Sequence, residues 1–427
     1  MIQVTTLSNG MRLVTERMES VRSVSVGVWV NAGSVMETER QSGISHFIEH
    51  MLFKGTTNRD ARTIATEMDA LGGTINAFTS KECTCYYVKV LDEQIEPAIE
   101  ILADLYLNST LSEELLEREK GVILEEIAMT HDTPEDLVFE SAYEAFYEGT
   151  PLSGEILGTP ESISALKRDD LVSYMETYYT AENTVIAVAG NFEPEVLVKT
   201  LERAFQDAKH GERRPYPATR SQKKVTTVMH QKESEQVNAC LVFPGCPAGT
   251  KEYYALAILS NVLGGSMSSR LFQSIREDRG LAYSVYSYPT ACRDTGCLSL
   301  YAGCGEKQAE EVLRLMLKEI TDLLQNGITE EEFRRNKQQL KGNFLLGMET
   351  SSTHMQAIGK NLLLLDRKYD LETTISRIEC VTMEDIREMI EHVFGSKHAS
   401  FAAVGRLETI SDSLKSIFEE WLSHARG

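Results

Sequence analysis

Two periodicities alternate along the chain, one of two residues and one of about 3.6, and they mark strands and helices respectively. Val24, Val26, Val28 and Val30 occupy every second position, as on a strand with one buried face, and residues 84–90 read as a second strand. Asn9-Gly10 separates two short alternating segments near the N-terminus, which predicts a β-hairpin. Ile95, Ile99, Leu102 and Leu105 recur at helical spacing instead and predict an amphipathic helix. The two kinds of element are mixed without strict strand-helix-strand alternation. The expected class is therefore α+β, a largely antiparallel sheet with helices packed on one face.

The pattern also repeats. An apolar strand at 185–190 followed by a helical pattern through Phe205 is echoed by 400–405 and a helical pattern through Trp421, an offset of 215. Residues 110–120 are echoed by 327–337, an offset of 217. Two features at nearly one offset point to a duplicated domain. Between the copies, residues 209–224 carry Gly211, Pro215, Pro217 and six Lys or Arg with almost no apolar periodicity. They read as a solvated linker rather than a binding patch. The expected organisation is two similar lobes, 1–208 and 225–427, joined by 209–224.

Composition narrows the class. The 427 residues are 42% hydrophobic and 25% charged, the balance of a globular protein. No apolar run is long enough to span a membrane. A formal net charge of −21 disfavours nucleic acid as a partner and favours basic peptides. The N-terminal residues alternate like a strand and lack the basic start and long apolar core of a secretory signal, so the expected location is cytoplasmic. Eight cysteines in a chain this long are not a disulfide framework and read as reduced packing residues.

The chemistry concentrates in the first copy. Residues 46–50 read His-Phe-Ile-Glu-His; on a helix His46 and His50 share a face one turn apart, with Glu49 beside them. That arrangement suits two imidazole ligands on one metal with a carboxylate near its water, although a pair of ordinary histidines fits the same spacing. After Thr110, which with Glu113 reads as a capping box, a helix is expected to about Thr130. Leu115, Leu116, Val122, Ile123 and Ile127 form its apolar stripe, with Glu119 and Glu126 inside the stripe and Glu125 outside it. Two carboxylates on a core-facing stripe call for a compensating cation, unless the stripe turns to solvent there. The aligned positions of the second copy are Asn336 and Asn343, and Ala257, Ser260 and Asn261 stand where His46, Glu49 and His50 would be. One metal site per chain is expected.

The segment His46-Phe-Ile-Glu-His50 is the inverted zinc motif of the inverzincins. With 119–127, 72–79 and 276–283, the whole chain resembles the pitrilysin or insulinase family of metallopeptidases, most closely its processing-peptidase branch. The resemblance implies that His46, His50 and Glu126 bind one Zn2+ and that Glu49 is the general base. It makes Glu119 the carboxylate that holds a ligand from behind, and Asn76, Ala77, Phe78 and Thr79 the edge strand that receives substrate. Arg276 and Tyr283 would be contributed to the reaction by the second lobe. Nitrogen and oxygen donors suit several divalent ions, and zinc is what the resemblance implies. The implied activity is endopeptidase cleavage of extended or unfolded peptides. A non-catalytic peptide-binding or assembly subunit is the alternative. Longer relatives carry four such lobes, so a homodimer enclosing a chamber is also expected.

Overall fold

The Asn9-Gly10 hairpin forms as the pattern requires, pairing Thr6 with Arg12 and Ile2 with Glu16. The computed structural model describes residues 2–219, 224–396 and 398–425; residues 220–223 of the expected linker lie outside the described residues. In chain order the first half runs β1 (Ile2–Thr6), β2 (Arg12–Arg17), β3 (Ser23–Val30), α1 (Ile44–Leu52), α2 (Ala61–Ala70), β4 (Thr74–Thr79), β5 (Thr84–Leu91), α3 (Ile95–Asn108), α4 (Glu113–Asp132), α5 (Pro134–Tyr147), α6 (Pro160–Ala165), α7 (Arg168–Tyr178), β6 (Thr184–Gly190) and α8 (Pro194–Ala204). The second half runs β7 (Val225–Gln231), β8 (Val237–Pro244), α9 (Lys251–Gly264), β9 (Ala282–Ala291), β10 (Gly296–Cys304), α10 (Ala309–Asn326), α11 (Glu330–Gly347), α12 (Ser351–Leu365), α13 (Leu371–Glu379), α14 (Met383–Phe394), β11 (Ala399–Gly405) and α15 (Ser411–Ala425).

The duplication is visible in the sheets. The first has strand order β1-β2-β6-β3-β5-β4 and the second β7-β11-β8-β10-β9, the same order without the extra edge hairpin strand. In each, one pair is parallel, β2 with β6 and β7 with β11, and the remaining pairs are antiparallel. The α+β class and the largely antiparallel sheets are as expected.

The chain divides into two compact units, and neither is contiguous. The first comprises 1–127, 154–217 and 345–370; the second comprises 128–153, 218–344 and 371–427. The boundary at 217/218 falls within the expected linker, but the contiguous lobes 1–208 and 225–427 are crossed by two exchanged segments. These carry α5 and α12, whose starts are 217 residues apart, so they are the same helix of the repeat. The α5 helix packs on β7, β8 and β11 of the second sheet, and α12 on β2, β3 and β6 of the first.

This exchange explains why β3 is buried on both faces rather than one. One face meets the core formed with α1 and α3, and α12 covers the other. The helix approaches closely because two glycines face each other's neighbours: a Cβ at Gly27 would meet Met355, and one at Gly359 would meet the Trp29 indole. Ser23 and Ser25 hydroxyls lie 3.0 Å from Ser351 Oγ, satisfying polar groups that the helix buries. His354 Nδ1 bonds Glu16 at 2.8 Å near one end of α12. Asp366, just past the other end, pairs with Arg12 at 2.7 Å and Arg213 at 2.6 Å.

Candidate metal centre

The helix α1 begins after Gly43, which adopts φ 86°, a conformation open to glycine at little cost. The Glu37 carboxylate accepts hydrogen bonds from the Gly43 amide at 2.7 Å and the Ser45 amide at 2.9 Å, satisfying donors that the first turn leaves free. Burial pushes the Glu37 carboxyl up to about 7 against those bonds. Ile44, Phe47, Ile48, Met51 and Leu52 are all buried and anchor the helix. That packing presents His46, Glu49 and His50 to one side.

The α4 helix supplies the carboxylates. It opens at Glu113, its Leu116 amide bonding to the Ser112 carbonyl, and the Thr110 hydroxyl instead donates to the Gly55 carbonyl at 3.3 Å. The Thr110 hydroxyl is thus engaged with Gly55 rather than in the expected Thr110–Glu113 capping box. Leu116, Glu119, Ile123 and Ile127 make the buried line, so Val122, expected in the stripe, is displaced around the helix and is 50% exposed. Glu119 is buried, Glu126 is half-buried and Glu125 is exposed.

Together the two helices bring His46, His50 and Glu126 to one place, each offering a ligand atom within 4.8 Å of the others. Glu126 Oε2 lies 3.8 Å from His46 Nε2 and 3.6 Å from His50 Nε2. Tetrahedral donors about 2.0–2.1 Å from one zinc ion stand about 3.3–3.4 Å apart, so the two Glu126 separations are within about 0.5 Å of that spacing. The protonation states also fit. Burial, reinforced by the His50 ring, pushes His46 down to about 4, which leaves a neutral imidazole near pH 7. Burial pushes the Glu119 carboxyl up, but hydrogen bonds from His50 and Lys54 outweigh it and hold the group below its ordinary range. An ionised carboxylate only accepts, so His50 Nδ1–H donates to Glu119 Oε1 at 2.8 Å and the Nε2 lone pair is left toward Glu126.

Glu49 stands beside this set, and Thr79 Oγ1 donates to its Oε2 at 2.5 Å. Burial raises the Glu49 carboxyl above its ordinary range; the Thr79 bond and His50 oppose that shift and Glu126 adds to it. Thr79 ends β4, which lies at the edge of its sheet and pairs only with β5. Asn76, Ala77 and Phe78 lie on the same edge strand, and the Phe78 ring meets Trp29 edge-on at 5.5 Å.

The second unit holds the repeat without the chemistry. Asn261 of α9 donates to Gln339 of α11 at 3.1 Å and to the Asn336 carbonyl at 3.5 Å, so α9 and α11 meet as α1 and α4 do, with Asn261 at the position of His50 and Asn336 at that of Glu119. Among the described residues, His46, His50 and Glu126 form the sole cluster of this kind. Arg276 and Tyr283 lie together in this unit. Arg276 donates to the Tyr283 carbonyl at 2.7 Å and its guanidinium sits 4.7 Å from the Tyr283 ring centre, while the Tyr283 residue is 74% exposed. Nearby Arg270 is committed to Glu332 and Asp322, each at 2.7 Å.

Three contacts escaped the sequence. Lys54 Nζ on Glu119 Oε2 at 2.7 Å, Glu37 at the start of α1 and the Thr79–Glu49 bond each join residues by packing that no local pattern announces.

Residues 12–160 match the family described as insulinase (peptidase family M16), and residues 165–340 match the peptidase M16 inactive domain. The uncharacterized zinc protease YmxG of Bacillus subtilis is 41% identical over 399 residues, covering 93% of this chain and 97% of that protein. An uncharacterized zinc protease of Streptomyces coelicolor is 36% identical over 414 residues, covering 95% and 90%. A protease from Helicobacter pylori of known crystal structure shares the fold with a TM-score of 0.88 at 22% identity, covering 95% of this chain and 99% of that one. A chain of complex III2 from Candida albicans does so with a TM-score of 0.84 at 20% identity, covering 98% and 100%. With zinc-protease relatives along almost its whole length, the chain belongs to the insulinase family of metallopeptidases, peptidase family M16.

Proposed function

We propose that the protein is a zinc-dependent endopeptidase that cleaves extended or unfolded peptides, with Glu49 as general base. The observation that carries this reading is the convergence of His46, His50 and Glu126 with Glu49 alongside, at the end of an edge strand. A divalent ion held by those three residues would supply Lewis acidity, polarising a carbonyl and acidifying water. The chain's own residues do the rest. Glu49 takes a proton from the attacking water and returns it to the leaving amine. Thr79 holds the carboxylate in place, and Glu119 fixes the His50 ring and its tautomer. The free edge of β4 adds an extended peptide by main-chain hydrogen bonds, which makes few demands on its sequence.

The charge of −21 favours basic substrates through long-range attraction. By resemblance, Arg276 and Tyr283 also take part, and a homodimer encloses the site. Tyr283→Phe, expected to lower turnover without releasing metal, and sedimentation at micromolar concentration test those two assignments.

The deciding experiment is zinc-supplemented cleavage of basic and acidic quenched fluorescent peptides by the wild type and Glu49→Gln. The wild type should cleave, and Glu49→Gln should retain metal while losing about 10²–10⁴-fold in rate. Undiminished cleavage by Glu49→Gln removes the base assignment. A folded, zinc-loaded wild type that cleaves nothing supports the peptide-binding subunit instead.

A further inference from the structure

The Glu119 carboxylate is used at both oxygens. Oε1 accepts from His50 Nδ1 at 2.8 Å and Oε2 from Lys54 Nζ at 2.7 Å, and its side chain is 6% exposed. An anion at that depth is costly unless a positive charge compensates it. His50 cannot supply that charge and also serve as a ligand, because ligation needs the neutral imidazole. Among the described residues, Lys54 is the one Lys or Arg paired with Glu119. Lys54 follows the C-terminal residue of α1 by two positions, its amide bonding the Met51 carbonyl at 3.1 Å, so the helix that carries His50 also sets where the ammonium stands.

We propose that Lys54 is a positioning residue of the metal centre: by holding Glu119 Oε2 it aims Oε1 at His50 Nδ1 and thereby keeps His50 Nε2 available to the ion. This rests on the reading of His46, His50 and Glu126 as a metal site. Its ion pair is with Glu119, and it acts through that carboxylate. Without the ammonium the carboxylate rotates about its last bond or draws solvent, and the His50 ring loses its fixed tautomer. A Lys that merely meets the negative end of α1 would leave zinc binding unchanged when replaced.

The test measures the zinc dissociation constant by competition with a chelating dye for the full-length wild type, Lys54→Gln, Lys54→Arg, Glu119→Gln and the Lys54→Gln/Glu119→Gln pair. Zinc-free melting is followed alongside. Lys54→Gln should weaken binding at least about tenfold, within the range for groups that orient a ligand, and Lys54→Arg should recover most of it. The double variant should lose no more than Glu119→Gln alone, because both changes break one chain of contacts. In the zinc-free protein, the ¹⁵N signals of His50 should report the Nδ1–H tautomer in the wild type and a mixture in Lys54→Gln. Wild-type zinc affinity in Lys54→Gln, or fully additive losses in the pair, overturns the proposal. Failure of the wild type to bind zinc overturns the underlying site reading instead. Lys54→Met, which keeps the aliphatic stem, replaces Lys54→Gln if that variant does not fold.

Discussion

Replacing Gly359 by Ala tests whether α12 is seated on the first sheet as described, because opposing effects of known size meet at this position. Within a helix, Gly→Ala ordinarily stabilises by about 1 kcal/mol. A Cβ at Gly359, however, falls 2.6 Å from Trp29 Cε2 and 2.9 Å from Cδ1, with Nε1 closer still. Trp29 is 1% exposed, lies between α12 and the sheet core and meets Phe78 of the edge strand, so it has little room to yield. Overpacking of a filled core costs about 1–3 kcal/mol, and this contact with a rigid buried ring belongs toward the upper end. The net expectation is a loss of about 1–2 kcal/mol, or about 2–8 °C in melting midpoint for a unit of this size. Gly121→Ala in α4 is the control: nothing lies within 4 Å of a Cβ there, so the same substitution should raise stability by up to about 1 kcal/mol. Thermal and urea denaturation of the two variants read both signs. An unchanged or higher midpoint for Gly359→Ala would refute the close packing of α12 on β3.

Other expected outcomes concern the site and its supports. Glu126→Gln should weaken zinc retention at least about tenfold, whereas Glu125→Gln, on the exposed side of α4, should leave it unchanged; equal losses measured by metal analysis after dialysis would break the helical-face argument. Thr79→Val should lower turnover about 10–100-fold with zinc content intact, the worth of a hydrogen bond to a charged group, and Thr79→Ser should restore it; a fully active Thr79→Val would show that the hydroxyl does not hold the base. The Glu16 bond raises the His354 pKa, so the pair contributes fully below the unfolded value of about 6.5 and loses its contribution as pH rises through the folded value. The melting-midpoint gap between wild type and His354→Gln should accordingly be wider near about pH 6 than near about pH 9, and a gap independent of pH would count against the pair.

Several elements were legible because their signals are local. The hairpin at Asn9-Gly10, the alternation in β3 and the shared face of His46 and His50 depend on backbone geometry over a few residues. The repeat offset of 217 marked two copies of one unit, and the absence of the His46, His50, Glu119 and Glu126 side-chain types from the second copy could be read from the aligned positions Ala257, Asn261, Asn336 and Asn343. What went astray was the direction in which helices turn their stripes. Val122 fell outside the buried line of α4, and β3 proved buried on both faces. A stripe shows that a helix buries a face without showing which sheet receives it, and α5 and α12 each pack on the sheet of the other repeat.

The sequence by itself determined the fold class, the duplication, the helix bearing two histidines and a glutamate, and the pair of carboxylates able to complete a metal set. Tertiary structure alone decided how those carboxylates divide the work. His50 meets Glu119 across 69 positions, with Glu126 on the other side of the ring and Lys54 behind Glu119. It likewise joined Thr79 to Glu49 across 30 positions. The physical reason is that spacing along a helix specifies which residues share a face, whereas the partner of a buried charge is chosen by the packing of whole elements, a property of the assembled core.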